Sequence, residues 1–216
     1  YRDLITELHP ATKPTYWQPT IPSHSEQVTL LIKVCAQDAA VMSEQIAHIV
    51  TQLSYPVSFA RRLLLIDLHS GAFLRQYASG DLESVIKQAG ELQADGLLDE
   101  ILFTPTDPAV IAKTYHRWFG RDDCFNTHTR NNAPLFPQIW GFDQIKTRYV
   151  LQCDLDVLIG RRDWQHDYLA DMLYACEPLD VLAVGFNIAK KHTGFTSYHG
   201  EPGQFAPEVR CGLLDL

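Results

Sequence analysis

No stretch of this sequence approaches the ~18 consecutive apolar residues that a membrane-spanning helix requires, and no secretory leader pattern opens it. Basic charge is short: 18 Lys and Arg stand against 26 Asp and Glu, a formal net charge of −8. That balance argues against a broad nucleic-acid footprint. Cysteine is present but unorganised. Cys35, Cys124, Cys153, Cys176 and Cys211 are odd in number and show no Cys-x-x-Cys spacing. They read as reduced thiols of a cytoplasmic protein rather than as disulfide staples or a zinc site. Glycine loops are missing as well. No Gly-x-Gly-x-x-Gly follows a candidate strand and no Gly-x-x-x-x-Gly-Lys occurs, which argues against dinucleotide and P-loop sites.

What remains is ordinary globular material. The 216 residues suit one large domain or one and a half, and 46% hydrophobic with 20% charged residues is enough for a sizeable core. The chain opens on Tyr1 rather than Met and stops at Leu216 in mid-pattern, so it reads as a piece of a longer protein. Residues 1–27 carry Pro10, Pro14, Pro19 and Pro22 and read as an extended arm with one short helical turn near Leu4–Leu8.

Beyond the arm, strands and helices alternate. Strands are expected at Val28–Val34, Arg62–Asp67, Glu100–Thr104, Tyr149–Asp154 and Val181–Ile188. Helices are expected from Asp38 to Leu53, Asp81 to Ala94, Pro108 to Phe119, Pro137 to Ile145 and Trp164 to Cys176. The tail from Ala189 is rich in Gly, Pro and aromatics and shows no period. Near-continuous apolar strands separated by helices predict an α/β fold with a mostly parallel sheet covered on both faces. Such sheets bind ligands at the carboxyl ends of their strands. Asp67, Asp154 and Asp156 all fall at such ends and are expected to share one cleft.

Tyr149–Arg162 organises this reading. An apolar strand runs into Asp154-Leu155-Asp156, and strand alternation places both carboxylates on one side and Leu155 on the other. Two hard oxygen donors suit Mg²⁺ or Mn²⁺, which hold phosphate oxygens through their open positions. The plainer reading is a turn at Asp154 and a cap at Asp156.

Three residue sets in order carry a family resemblance. They are Ile66-Asp67-Leu68-His69-Ser70 after the second strand; Asn131, ten residues before Gly141, with Gly141 thirteen before Asp154; and Asp154-Leu155-Asp156. Over about residues 28–190 the chain resembles nucleotide-sugar glycosyltransferases of the GT-A fold, closest to the family 2-like group. The resemblance implies a Rossmann-like, mostly parallel sheet with flanking helices. It implies a glycosyltransferase that moves a sugar from a nucleotide-diphosphate donor to an acceptor hydroxyl, with Mn²⁺ or Mg²⁺ held by Asp154 and Asp156. Nucleotide contacts are implied for Asp67, Arg130, Asn131 and Asp154, and residues 191–216 become the start of a truncated acceptor-side region. An inverting enzyme also needs a general base, for which Glu201, Glu208 and Asp215 are the candidates. His192 or His199 would supply a third metal ligand. The chain departs from the family at Leu68 and His69, in place of Asp and Gly, and at Gln138 and Ile139, in place of Arg and Asn.

Other residues read plainly. Cys153 points into the core, His116 and Trp118 lie on a helix without a role, and Arg161 and Arg162 form a helix-entry pair. Two alternative functions stand beside the transferase. One is a catalytically degenerate domain that binds a nucleotide or a partner. The other is a phosphatase resembling the haloacid-dehalogenase type, with Asp154 as nucleophile.

Overall fold

The computed structural model describes residues 23–54, 56, 58–69, 80–130, 132–186, 188–190, 194–196 and 210–216. Two apolar strands, β1 (Val28–Val34) and β4 (Tyr149–Asp154), lie side by side at its centre, buried along nearly their whole length. β2 (Arg61–Ile66) pairs with the other edge of β1, and β3 (Glu100–Phe103) pairs with β2. All these pairings are parallel, which requires a crossover after each strand. Helices α1 (Met42–Leu53), α2 (Leu82–Ala94), α3 (Pro108–Phe119) and α4 (Leu135–Asp143) lie in those crossovers.

The other side of the sheet was not legible as a simple parallel array. β5 (Ala183–Gly185) does not touch β4. The late strand β8 (Cys211–Asp215) inserts antiparallel to both, giving a six-stranded sheet in the order β3-β2-β1-β4-β8-β5. The architecture is therefore α/β with a mostly parallel mixed sheet and flanking helices, compatible with a Rossmann-like arrangement. The single strand expected over Val181–Ile188 is divided. After β5, β6 (Ile188–Lys190) forms a separate antiparallel pair with β7 (Gly194–Thr196). No helix among the described residues is long and apolar enough to cross a membrane.

Alternation along the strands sorts side chains between two layers. Val28, Leu30, Ile32, Leu64, Leu151 and Cys153 pack with α1, α2 and α5 (Tyr168–Ala175). Leu31, Leu63, Leu65 and Val150 face the other way, where Trp140 and Phe142 of α4 pack against them. That second contact is close. A Cβ on Gly141 would come within 2.7 Å of Leu65 Cδ2, so glycine lets α4 settle onto β2. The same proximity brings Gln138, one turn earlier on α4, over β1 and β4.

Several boundaries moved for identifiable reasons. Asp38 does not cap the first helix. It sits in a 3-10 turn, Ala36–Asp38, and its Oδ2 accepts from the Cys35 N–H at 2.8 Å, so α1 begins at Met42. The helix expected from Trp164 begins at Tyr168, capped by Asp167 Oδ1 accepting from Ala170 N–H at 3.0 Å. The residues before it are held as a loop by Arg161, which donates to the Gln52 and His166 carbonyls and lies 4.9 Å over the Tyr168 ring. Of the expected N-terminal arm, Ser23–Gln27 forms a 3-10 turn, and His24 Nε2 lies 3.1 Å from Asp167 Oδ2. Residues 1–22, including the turn expected near Leu4–Leu8, lie outside the described residues.

Candidate functional site

β1, β2 and β4 end at one edge of the sheet, and the side chains just past their ends surround two adjoining hollows. The first, of about 390 Å³, is lined by Lys33, Cys35 and Asp38 from β1 and its turn, Asp67 after β2, Gln138 of α4, Asp154 at the end of β4, Asp156 after it, and Arg210 just before β8. The second, of about 310 Å³, lies between the end of β2 and the loop before α4, against Asp67, His69, Thr104, Thr106 and Thr127. Asp67 lines both. The expectation of one shared cleft is met by geometry, although by a different route at Asp156. β4 stops at Asp154, and residues 155 and 156 form a turn in which Val157 N–H donates to the Asp154 carbonyl at 3.2 Å. Strand alternation therefore does not extend to Asp156. The turn buries Leu155 in the α1-side core and leaves Asp156 exposed at the cleft.

Asp67 is 7% exposed. Its Oδ1 accepts from the His69 N–H at 3.0 Å, and its Oδ2 lies 3.1 Å from His128 Nε2. The His69 and His128 rings stack, with centroids 3.8 Å apart and planes 27° apart. With its proton on Nε2, neutral His128 faces Asp67 with a donor and accepts at Nδ1 from the Thr127 hydroxyl at 3.0 Å. Burial pushes the His128 pKa below its ordinary 6.5, the Asp67 carboxylate pulls it up, and His69 lowers it again. The net direction is down. As pH falls, the unfolded chain takes up this proton first, so folding loses stability as pH drops through 6.5 towards the folded pKa, and keeps it in full above 6.5. The slope contributed by one such proton is at most about 1.4 kcal/mol per pH unit. Melting curves between pH 7.5 and 5.5 should therefore show a steeper loss in the wild type than in His128→Gln; parallel profiles would refute the burial argument.

Lys33 sits opposite Asp154 in the β1–β4 register. Its Nζ lies 2.8 Å from Asp154 Oδ1, with the two side chains 16% and 27% exposed. It also donates to Gln138 Oε1 at 2.5 Å and to Gln152 Oε1 at 3.3 Å, and Gln138 Nε2 donates to Gln152 Oε1. Gln152 is fully buried in the β4 centre, so the network anchors the cleft floor to the sheet.

A divalent ion fits this donor set only as an open site. Among the described residues no three His, Cys, Asp or Glu side chains converge to hold a metal. Mg²⁺ commonly takes one or two carboxylates and completes its shell with phosphate oxygens and water. Asp154 and Asp156 fit that pattern, with Lys33 already on one carboxylate.

The remaining expected site residues divide clearly. Arg130 is exposed in the turn between His128 and Pro134, outside the residues that line either hollow. Its neighbour Asn132 takes the left-handed conformation, φ 58°, and closes that turn through its N–H to the Thr129 carbonyl. Asn131, His192, His199, Glu201 and Glu208 lie outside the described residues. Asp215 does not reach the cleft. β8 runs antiparallel to β4, so Asp215 pairs with Tyr149 at the far edge, where Arg148 holds it at 2.7 Å. It is not placed to act as the base.

Cys153 is core, as its strand position implies. Hydrogen bonding with the Cys211 thiol, then burial, pushes its pKa well up. His116 pairs with Asp122 and Trp118 donates to Asp143, both on the surface.

Sequence reasoning gave no part in the cleft to Lys33 or His128, and it named His69 only as a departure from the family pattern. Lys33 left a signal, as a single charge within an otherwise apolar strand. His128 left none, because its position depends on how a loop folds back. No protein family, curated protein or solved structure matches this chain.

Proposed function

We propose that the chain is the donor-binding domain of a GT-A type glycosyltransferase, which transfers a sugar from a nucleoside diphosphate to an acceptor hydroxyl. The observation that carries this reading is the pair of adjoining hollows divided by Asp67, with Asp154 and Asp156 in only one of them. A nucleotide-sugar is itself bipartite. Its nucleoside presents a flat, hydrogen-bonding body, and its diphosphate presents concentrated negative charge. The hollow at His69, Thr106 and Thr127 offers the nucleoside a ring stacked on His128 and the exposed Thr106 hydroxyl. Asp67, at the boundary, accepts from a ribose or base donor and sets the register. The hollow at Lys33, Asp154 and Asp156 receives the diphosphate end. An Mg²⁺ or Mn²⁺ ion bound there supplies Lewis-acid stabilisation of the charge that grows on the leaving diphosphate. Asp154 and Asp156 would hold that ion, and Lys33 would offer the phosphate a further positive charge.

A thermal shift with UDP, GDP and CDP and their sugars, each with Mn²⁺ or EDTA, tests this directly. A ligand bound only by the folded state raises the melting temperature once its concentration passes its dissociation constant. One nucleotide is expected to raise it in Mn²⁺, and Asp156→Asn is expected to remove the metal-dependent part. Silence with every nucleotide, in a folded sample, would reject the reading.

A binding domain without turnover is the second reading. It is favoured by Asp215, the one base candidate among the described residues, standing at the opposite edge of the sheet. Release of free sugar from the bound nucleotide-sugar separates the two.

A further inference from the structure

Lys33 poses a question that stability alone does not answer. It interrupts a central strand in which every other residue is buried. An ion pair in such a place recovers at best the desolvation it costs, and a well-packed apolar residue there is often as stabilising or more so. Yet the surroundings are built to keep the ammonium. Asp154 Oδ1, Gln138 Oε1 and Gln152 Oε1 all lie within hydrogen-bonding reach of it, and they come from two different elements, β4 and α4. Such a cradle fixes a positive charge at a chosen point, and that point is the carboxylate expected to hold a metal ion.

The electrostatic consequence is specific. Asp154 paired with an ammonium presents little net charge to an incoming cation, and a divalent ion approaching it meets Lys33 as a like charge. Asp156, exposed at the same cleft, is the other carboxylate of that site. A phosphate group reverses the situation. It attracts the ammonium away from Asp154 and brings oxygens to complete the ion's shell, so anion and metal enter together. Coupling of this kind is reciprocal: whatever the anion does for the metal's affinity, the metal does for the anion's.

We propose that Lys33, one of two cationic side chains lining this cleft with Arg210, competes with divalent metal for Asp154 so that a metal ion is held well only alongside a phosphate-bearing ligand. The proposal rests on the phosphate-binding reading above and adds to it the order of assembly and the residue that enforces it.

Removing Lys33 should then have two effects of opposite sign. Lys33→Gln keeps polar contact with Gln138 and Gln152, and Lys33→Met keeps the length without the polarity, so a folding failure in one leaves the other as the test. Mn²⁺ alone, titrated into the unliganded protein by calorimetry or by loss of free-ion electron-spin resonance signal, is expected to bind at least tenfold more tightly to the Lys33 variants than to the wild type. Adding Asp154→Asn to Lys33→Gln should abolish the gain. Inorganic pyrophosphate titrated in EDTA should bind the wild type better than Lys33→Gln by a similar factor. Tight Mn²⁺ uptake by the wild type without any anion, or unchanged Mn²⁺ affinity in both Lys33 variants, would overturn the proposal. Failure of the transferase reading looks different: no nucleotide shifts the wild-type melt, while the Mn²⁺ gain in the Lys33 variants persists.

Discussion

Replacing Phe136 by alanine is expected to cost about 3–5 kcal/mol, the range for truncating a fully buried aromatic, and to lower the melting temperature by roughly 6–20 °C for a domain of this size. Phe136 is 0% exposed and is among the largest fully buried side chains described. It packs with Ile111 and Tyr115 of α3 and Ile139 of α4, apart from the main core, and its ring lies 5.7 Å from that of Tyr115. So small a cluster has few neighbours able to collapse into the space left behind. The loss should not stay local, because the Phe136 N–H donates to the Thr127 carbonyl at 3.0 Å and Thr127 precedes His128. Amide exchange in residues 125–130 should therefore quicken more than exchange in β1 or β4. A loss below about 1 kcal/mol, or exchange that quickens uniformly, would show that this cluster does not hold the His128 loop.

Asp67→Asn should do less to folding and more to binding. Asparagine keeps the shape, and its carbonyl still accepts from the His69 N–H. Its amide, however, turns a donor towards His128 Nε2, where a carboxylate oxygen had stood. The imidazole must move its proton to Nδ1, or one donor is left facing another. Such a mismatch in a buried site costs about 1–3 kcal/mol. If Asp67 also receives a nucleoside hydroxyl or base donor, losing a charged acceptor weakens nucleotide binding by about ten- to a hundredfold, the equivalent of 1.5–3 kcal/mol. The carboxylate is also what raises the His128 pKa against burial and His69. Without it that pKa falls further, and the pH range over which acid destabilises the fold widens downward. Nuclear magnetic resonance titration of His128 reads the pKa, and the nucleotide thermal shift reads the affinity. Unchanged binding in Asp67→Asn would place the nucleoside elsewhere.

How much of this could be read beforehand depends on which interaction decides each feature. The strands β1, β2 and β4 were legible because apolar runs bounded by polar turns report burial on both faces. α3 was legible to the residue, since Pro108 at its start, with Asp107 accepting from Ala109 N–H at 2.8 Å, and Gly120 at φ 63° are local signals. Asp67 and Asp154 followed from the same logic, because strand ends converge in a parallel sheet. Features set by distant partners were not legible. Cys211–Asp215 is short, follows a Gly- and Pro-rich tail, and is a strand only because β4 offers an edge to pair with. Its direction decides where Asp215 goes, so that residue's candidacy failed with the topology. Asp38 caps its own preceding turn instead of the helix, a choice between two nearby backbone donors that propensity does not rank. The His69–His128 stack belongs to the same class. It joins two loops, and nothing in either one's sequence anticipates the other.

The placement of β8 also sets an order of events during synthesis. Arg148 and Asp215, which close the far end of the β4–β8 ladder, are 67 positions apart along the chain, while the β1–β2 pairing closes over a much shorter loop. Synthesis runs from the N-terminus, so β8 leaves the ribosome after all four parallel strands even though the β1–β4 pairing, Val28 with Tyr149, spans a longer stretch of chain. A nascent chain can thus assemble β3-β2-β1-β4 while β8 is still in the ribosome's tunnel. During that interval β4 presents an open row of amides and carbonyls over an apolar strand, the kind of edge on which chains join one another. The antiparallel strand is then a late-arriving cover for the sheet, and substitutions that weaken it, such as a proline at Leu213, should appear first as poor recovery of protein from cells rather than as altered ligand binding.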